Sequence, residues 1–398
     1  MKATSYNPPA GLKRFQQMAF SVGALFLAVL MVGYLTDRAQ FFHSYVFAFS
    51  FWVGISVGSL ALLMLQHLSG GGWGLVIRRV LEAATQTLPL MLVLFVPIVL
   101  GAHWIYSWTH EEEIAKHPVL ALKTKYLNVP FFTVRAAIYF GIWILLAYLL
   151  TRWSTLQDQT AEGQYTKKMQ MLSGPGMVLL VFTVTFGTID WFMSLDPLWY
   201  STIYGLIFVA SWALSALAFV IAVLGRLSKE EPVSNFVAQS HFHDLGKLLL
   251  ALVMLWTYFS FSQFLIIWSG NLPEEIHWYI PRTHGGWGVI ALLVVVLHFA
   301  FPFLFLLSRS FKRDSGKLVM IAILILVMRL IDLFWTLAPS FPGGGHFHVS
   351  WMDIVAPIGI GGLWLAVFTW ALSKRPLIPI NDPQFESVLE QKHAHAGH

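Results

Sequence analysis

The chain alternates between ten long apolar runs and short polar connections. About 20 mainly apolar residues cross a bilayer as a helix, and each run is of that order. Each run is expected to be helical because lipid offers no partner to backbone N–H and C=O groups. The pattern predicts an all-α integral membrane protein with ten transmembrane helices, at about 15–35, 45–67, 83–106, 130–151, 176–195, 203–225, 247–268, 286–307, 317–338 and 351–372.

One of these runs is present twice. Ser173–Pro197 aligns without a gap with Ser315–Pro339, which begins 142 residues later. Both copies begin with Ser-Gly and contain Ile-Asp-x-Phe near their ends, so Asp190 occupies the same position as Asp332. We interpret this pattern as an internal duplication that retains an acid in each copy.

The duplication predicts how the helices are grouped. Helices 2–5 (about 45–197) correspond to helices 6–9 (about 203–339), and an offset of four helices keeps the direction across the membrane. We therefore expect two parallel four-helix bundles, flanked by helices 1 and 10, within a membrane domain of residues 15–372.

Composition and charge agree with a membrane protein and predict its orientation. Hydrophobic residues make up 57% of the chain and charged residues 11%, against about 25% charged in soluble domains. Of the 25 Lys and Arg residues, 18 lie in segments on one side, five on the other, and two inside helices. Positive charge favours the cytoplasmic side, so both terminal segments, 1–14 and 373–398, are predicted to be cytoplasmic.

Charged side chains inside the apolar runs are costly and are therefore candidates for function. Arg329 and Asp332 are spaced i, i+3 and can pair on one helix face, and the alternative is that this pair is only structural. Asp190 has no cation three or four residues away, and Arg135 is the candidate partner from another helix. We expect an isolated Asp190 to favour its neutral form and to carry protons better than Asp332.

Two further positions extend this proton-path hypothesis. His298 stands near mid-membrane in helix 8, where it is either a step in the path or a hydrogen-bonded packing residue. On the inner side, His243, Asp244 and Lys247 precede helix 7 and could feed protons toward the core. The alternative is that Asp244 caps the helix and that the cluster is a solvated surface.

No strong metal or haem motif is present in the sequence. The chain has no cysteine, which excludes disulfides and thiolate ligation of metals or iron–sulfur clusters. His346 and His348 flank a phenylalanine, and two histidines without a third ligand are a weak metal signal. The facing histidine pairs that ligate haem in membrane cytochromes are missing. We expect no metal site and no catalytic residue in this chain.

Two segments carry a resemblance to a known family. They read TFGTIDWFMSLDPLWYSTIYG (185–205) and FHDLGKLLLALVMLWTYFSFSQFLIIWSGNLPEEIHWYI (242–280). With ten helices, two parallel repeats and no cysteine, the chain resembles the NrfD/polysulfide-reductase membrane subunits. Within these it is most similar to the ActF-type subunits of bacterial alternative complex III, a quinol:electron-acceptor oxidoreductase. The resemblance covers nearly the whole chain.

The resemblance implies a subunit of a respiratory or photosynthetic electron-transport complex in the bacterial inner membrane. The implied partners are a second NrfD-like membrane subunit, a periplasmic iron–sulfur subunit, c-type haem subunits and membrane lipids, and no nucleic acid. Quinone or menaquinone is the implied small cofactor, with His103, Asp190 and Asp353 as candidate contacts. No cofactor is expected to be bound covalently or through ligation.

Four functions remain open at this stage. We favour a proton-translocation path coupled to quinol oxidation in a neighbouring subunit. The alternatives are quinol oxidation by this chain at its outer face, a structural scaffold, and a secondary transporter, which helix-kinking prolines without counterparts in the other half disfavour. The residues assigned to the path are Asp190, Arg329, Asp332, His298, Arg135, His243, Asp244 and Lys247.

Overall fold

The computed structural model describes residues 10–160, 163–379, 381–383 and 385. In this part of the chain there is no strand, and ten helices are long and apolar enough to cross a membrane. The prediction of an all-α, multi-pass membrane protein is therefore confirmed. The arrangement as two parallel four-helix bundles stays a prediction.

The ten spans follow the order of the apolar runs. Two of them are interrupted, and short helical turns occupy several connections. The spans are α1 (Ala10–Thr36), α2 (Arg38–Ser69), α3 (Arg78–Thr85, then Leu88–Leu100), α4 (Val129–Thr160), α5 (Gln164–Trp191), α6 (Tyr204–Leu227), α7 (Gln239–Gly270), α8 (Gly285–Leu293, Val294–Ala300 and Phe301–Leu307), α9 (Ser315–Leu337) and α10 (Trp351–Ser373). The turns are Gly72–Leu75, Ala102–Ile105, Ser107–Thr109, Glu111–Lys116, Pro118–Lys123, Met193–Leu195, Val233–Asn235, Pro273–Ile276, Tyr279–Thr283, Arg309–Arg313 and Ala338–Ser340.

The connections on one side of the bundle contact each other, and this side is called the outer side below. Tyr106, between α3 and α4, donates its hydroxyl to the carbonyl of Trp191 at the end of α5 (3.1 Å). Trp199, between α5 and α6, donates to the carbonyl of Glu275, between α7 and α8 (3.1 Å). The opposite side, which contains the chain connections α2–α3, α4–α5, α6–α7 and α8–α9, is called the inner side.

Several helices are longer than the apolar runs predicted. The stretch 152–174 was expected to be an inner loop, but α4 continues to Thr160 and α5 begins at Gln164. The bilayer limits only the apolar part of a helix, and no proline interrupts the polar ends of these two. The histidine cluster expected before helix 7 also lies inside α7, which begins at Gln239.

The span α8 changes its winding in the middle. Residues Val294–Ala300 form a π-helical segment between two α-helical ones. Pro302 lies two residues after the end of this segment. It has no backbone N–H, so it cannot donate a hydrogen bond to the carbonyl of His298, four residues earlier. A widened turn is one way in which a helix accommodates such a missing bond, and π segments often mark functional sites. His298 lies within this segment.

The helix α2 is the centre of the bundle, and it packs closely against α6. Gly54 and Gly58 face Trp212 of α6, and a Cβ on Gly58 would lie 2.0 Å from the Trp212 carbonyl oxygen. Small residues four positions apart allow membrane helices to approach to backbone contact. The first helices of the two repeats therefore meet directly.

The inner ends of α2, α3 and α4 contain a buried set of ion pairs, called here the inner charge network. Arg79 pairs with Glu82 (2.7 Å) and with both carboxylate oxygens of Asp158 (2.5 and 2.6 Å). Arg78 pairs with Asp382, which follows α10 (2.6 Å). The start of the C-terminal tail is thus packed against the membrane domain, and its remainder, 386–398, lies outside the described residues.

Candidate functional site: two buried aspartate–arginine pairs

In repeat one, Asp190 near the outer end of α5 is fully buried and binds three donors. The Arg135 guanidinium of α4 donates through Nε to Oδ2 (2.7 Å) and through Nη2 to Oδ1 (3.0 Å). The Tyr139 hydroxyl, one turn after Arg135, donates to Oδ2 (2.9 Å). A two-pronged arginine–carboxylate pair is strong and orients both groups. The predicted partnership of Arg135 with Asp190 is therefore present.

The Arg135 side chain is held between two aromatic rings. Its guanidinium carbon lies 3.8 Å from the centre of the Tyr126 ring and 4.4 Å from that of Phe131. It also donates through Nη1 to the Tyr126 carbonyl (2.9 Å). Burial and the nearby Asp190 carboxylate raise the pKa of Tyr126 to about 12, so this phenol stays neutral at physiological pH. Both rings are partly exposed and separate the ion pair from the surroundings of the protein.

In repeat two, Asp332 pairs with Arg329 of the same helix. Arg329 Nη1 donates to Asp332 Oδ2 across one turn of α9, and both side chains are buried. The predicted i, i+3 pairing is present. The two copies also share a smaller feature. Ser194 donates its hydroxyl to the Asp190 carbonyl (2.5 Å), as Thr336 does to the Asp332 carbonyl (2.8 Å).

The two halves obtain their arginine from different helices. At the 142-residue offset, the position of Arg329 is occupied by Gly187 in repeat one. A Cβ on Gly187 would be in ordinary contact with the Tyr139 ring (3.5 Å), so a longer side chain at this position would meet the tyrosine. Asp190 was expected to be isolated from cations and therefore to favour its neutral form. The structure contradicts this isolation, because Arg135 and Tyr139 of α4 both bind the carboxylate. The two acids therefore do not differ in having a counter-ion.

His298 lies close to the Arg329–Asp332 pair, in the interior of the helix bundle. Its ring meets that of Trp256 of α7 edge to face, with the ring centres 4.3 Å apart. It is fully buried, and neither ring nitrogen has a hydrogen-bond partner in the described part of the chain. The positive charge of Arg329 acts on the same ring. The alternative that His298 is a hydrogen-bonded packing residue is therefore not supported by any hydrogen bond of its ring within the described residues.

Hydrogen-bonded polar groups join α7 to two of the outer connections. Ser201 donates to Gln263 Oε1 (3.0 Å), and Gln263 Nε2 donates to the Tyr279 hydroxyl oxygen (3.1 Å). Burial raises the pKa of Tyr279 to about 12, and the Asp332 carboxylate contributes in the same direction. No sequence pattern indicated a role for Tyr279, which lies in the connection between α7 and α8.

The inner cluster on α7 is a surface feature. Asp244 pairs with Lys247 one turn later (3.1 Å), and His243 Nδ1 lies 3.8 Å from the same carboxylate. The Asp244 and Lys247 side chains are about half exposed. Asp244 does not cap α7, because the helix begins five residues earlier and the His241 ring accepts the Ala238 N–H there (3.0 Å). The solvated-surface alternative therefore fits, and the capping one does not.

A cleft of about 280 Å³ opens on the outer side between α2, α8, α9 and α10. Asp353 lies at its edge and accepts hydrogen bonds from Ser44 (2.6 Å) and Gln40 (3.2 Å). His103 is exposed and contacts the His110 ring instead, and Asp190 is enclosed in its ion pair, so the three candidate quinone contacts are not brought together. The cleft is lined by Gln40, His43, Phe47, Trp287, Phe334, Ala338, Phe341, Pro342, Gly343, Gly344, His346, His348 and Asp353.

Three buried arginines were missed from the sequence. Arg78 and Arg79 were counted with an inner loop, yet they are helical and enclosed in the inner charge network. The i, i+3 spacing of Arg79 and Glu82 was the available signal. Arg282 is buried over the Trp278 ring and donates to the Thr336 carbonyl (2.8 Å), and burial lowers its pKa to about 9.

Comparison with known proteins adds no assignment. No protein-family model matches this chain, and no curated protein matches it. Among the described residues, no group of three or more His, Cys, Asp or Glu is placed to hold a metal ion. The functional conclusion therefore depends on the chemistry of the buried polar groups.

Proposed function

We propose that this chain is a membrane subunit of a quinol-oxidising electron-transport complex of the alternative complex III type, and that it provides a proton path. The observation that carries the proposal is the presence of two buried aspartates at corresponding positions of two similar helices, each paired with an arginine. Ionisable groups inside a membrane protein are costly and commonly mark proton routes. A scaffold could carry well-packed apolar residues in place of both pairs without loss of stability.

The proposed path in repeat two runs from His298 to the Arg329–Asp332 pair and on to Tyr279. From there, Gln263 and Ser201 reach the outer connections through hydrogen bonds of 3.1 and 3.0 Å. Carboxylate, imidazole and phenol groups all exchange protons. A proton reaches Asp332 only when Arg329 moves partly away, so the ion pair acts as a gate that opens with a change in the surrounding charge.

The proposed path in repeat one is shorter. The Tyr139 hydroxyl donates to Asp190, and Arg135 holds the same carboxylate from the side. Both groups lie near the outer end of α4 and α5, so this site suits proton release better than uptake. His243, Asp244 and Lys247 are kept only as surface groups that gather protons on the inner side.

The proposed setting follows the resemblance of the sequence. The chain would lie in a bacterial inner membrane with both termini in the cytoplasm, next to iron–sulfur, c-type haem and second NrfD-like subunits that carry the electrons. Reporter fusions at His398 and near Lys116 test the orientation. Cytoplasmic activity is expected at the first position only, and the reverse pattern would exclude it.

The test of function measures protons released per quinol oxidised, in vesicles that contain the assembled complex. Asp332→Asn keeps the size of the side chain but removes its proton-carrying capacity, so the ratio should fall while electron transfer continues. Asp314→Asn is the matched control, since Asp314 is exposed and caps α9 (3.1 Å to Lys317 N), which asparagine also does. Wild-type coupling in both Asp332→Asn and Asp190→Asn would remove the path and favour the scaffold.

A second candidate function is favoured by the outer cleft. The cleft has aromatic walls, which are formed by Phe47, Trp287, Phe334 and Phe341. His43 stacks on Phe341, with 4.0 Å between the ring centres. Pockets of this kind, mainly apolar with a few polar groups, bind flat amphipathic ligands such as a quinol. A photoreactive quinone should then label residues 338–353, and labelling confined to neighbouring subunits would exclude this function.

A further inference from the structure

Four buried nitrogen atoms in one place have no hydrogen-bond partner within the described residues. They are Nδ1 and Nε2 of His298, Nε1 of Trp256 and Nε of Arg329. All three side chains are at least 96% buried. Leaving a buried polar group without a partner costs about 1–3 kcal/mol, and native proteins rarely tolerate it. Their occurrence together indicates a shared partner, and the set is called here the His298 cluster.

The three side chains come from three different helices. Trp256 is on α7, His298 on the π-helical segment of α8 and Arg329 on α9. The two rings are in contact, and Arg329 is close enough for its charge to act on the imidazole. The three side chains are therefore close neighbours in the interior of the bundle.

The donor and acceptor capacity of these atoms determines which hydrogen-bond partner they can share. Indole Nε1 and guanidinium Nε only donate hydrogen bonds, and a neutral imidazole offers one donor and one acceptor. The cluster therefore has three donors and one acceptor. One imidazole N–H can point at the face of the Trp256 ring, but that contact is weak and leaves the other donors unchanged. An oxygen atom that accepts several hydrogen bonds would satisfy the set.

We propose that the His298 cluster binds internal water. Water both accepts and donates, so one or two molecules can serve the indole, the guanidinium and both sides of the imidazole. Buried waters of this kind make about three hydrogen bonds to groups that lack other partners. A larger ligand fits less well, because His298 is fully buried and Trp256 and Arg329 are nearly so.

The use of this water rests on the proposed function, whereas the binding of water does not. Water between the imidazole and Arg329 would join His298 to the Asp332 carboxylate. A proton could then pass from His298 to Asp332 without direct contact between the two. The widened turn of α8, which places His298 here, would be the part of the fold that creates the site.

The binding of water is tested by X-ray hydroxyl-radical footprinting of the assembled complex. Radicals formed from bound water oxidise the side chains next to it, even when these are buried. Trp256 should be oxidised several-fold more than Trp143 and Trp364, which are also buried but donate their indole N–H to Thr183 (2.8 Å) and Ser56 (2.8 Å). Equal, low oxidation of all three tryptophans would overturn the proposal.

Variants of His298 sharpen the test. His298→Phe keeps a ring but removes both nitrogens, so the oxidation of Trp256 should fall several-fold, toward that of Trp143. His298→Gln retains a donor and an acceptor and should keep the oxidation high. Unchanged oxidation in His298→Phe would contradict the assignment, and the wild-type comparison stays decisive if a variant fails to fold. Oxidised Trp256 combined with normal coupling in Asp332→Asn and Asp190→Asn would keep the water and reject the proton path.

Discussion

At the residue scale, the two duplicated acids are neutralised by different means. Asp190 forms an ion pair with Arg135 of a neighbouring helix, and Asp332 forms one with Arg329 of its own helix. In repeat one Gly187 occupies the position of Arg329, and a side chain longer than alanine there would meet the Tyr139 ring. The two predicted repeats therefore share the buried acid but pair it with arginines from different helices.

This arrangement predicts how repeat one responds when one charge is removed. Asp190→Asn leaves Arg135 buried without a counter-ion and should cost about 3–5 kcal/mol of unfolding free energy. The double variant Asp190→Asn with Arg135→Gln removes both charges and should lose much less. Denaturant unfolding in detergent, followed by tryptophan fluorescence, measures the difference. Losses that simply add would mean that the two groups do not interact.

The Tyr139 hydroxyl gives a second prediction at this scale. Tyr139→Phe removes a hydrogen bond to a charged carboxylate and should lower stability by about 1.5–3 kcal/mol. Tyr148→Phe on the same helix is the control, because Tyr148 is more than half exposed and has no such bond. Equal stability of the two variants would show that Tyr139 does not hold Asp190.

The sequence supports these site assignments only in part. The i, i+3 spacing of Arg329 and Asp332 defines a pair because a helix fixes their separation. Arg135 and Asp190 are 55 residues apart, so their contact depends on how α4 packs on α5. The environment of the His298 nitrogens is formed by three helices together, so the sequence pattern of α8 alone does not predict it.

At the scale of the element, apolar length determines that a helix exists but not where it ends. All ten predicted spans are present because each has enough apolar residues to cross a bilayer. The ends of α4, α5 and α7 lie outside the apolar stretch, where polar residues continue the helix. The π-helical segment of α8 was also not predicted, although Pro302 is a local signal for a disturbed turn.

The contact between α2 and α6 gives a prediction for helix packing. In Gly58→Ala the new Cβ meets the Trp212 carbonyl oxygen at 2.0 Å, so the helices must separate, at a cost of about 1–3 kcal/mol. Gly141→Ala is the control, since no atom lies within 4 Å of its Cβ and alanine favours a helix by up to about 1 kcal/mol. Thermal unfolding in detergent compares the two. A Gly58→Ala protein as stable as Gly141→Ala would contradict the close packing.

At the scale of the whole molecule, the segment after α10 joins parts that are distant in sequence. Asp382 pairs with Arg78 of α3, and Asn381 donates to the Asp158 carbonyl of α4 (2.6 Å). The Phe385 ring contacts that of Phe236, between α6 and α7 (5.2 Å). The segment thus contacts the inner ends of both repeats. Composition alone marked 373–398 as a polar tail, because its partners lie hundreds of residues away.

This contact predicts a role for Asp382 in closing the inner side. Asp382→Ala removes the ion-pair partner of Arg78, which is buried in the inner charge network and also donates to Gln66 (3.2 Å), and the expected cost is about 3–5 kcal/mol. The segment that follows α10 should then detach more readily, because it loses its buried ion pair with α3. Detachment exposes the peptide bond after Lys374 to trypsin added on the inner side. Cleavage should therefore become several-fold faster than in the wild type, while the exposed Asp314→Ala control should remain at the wild-type rate. If Asp382→Ala is cleaved no faster than the control, the segment is held by other contacts and Asp382 does not secure it.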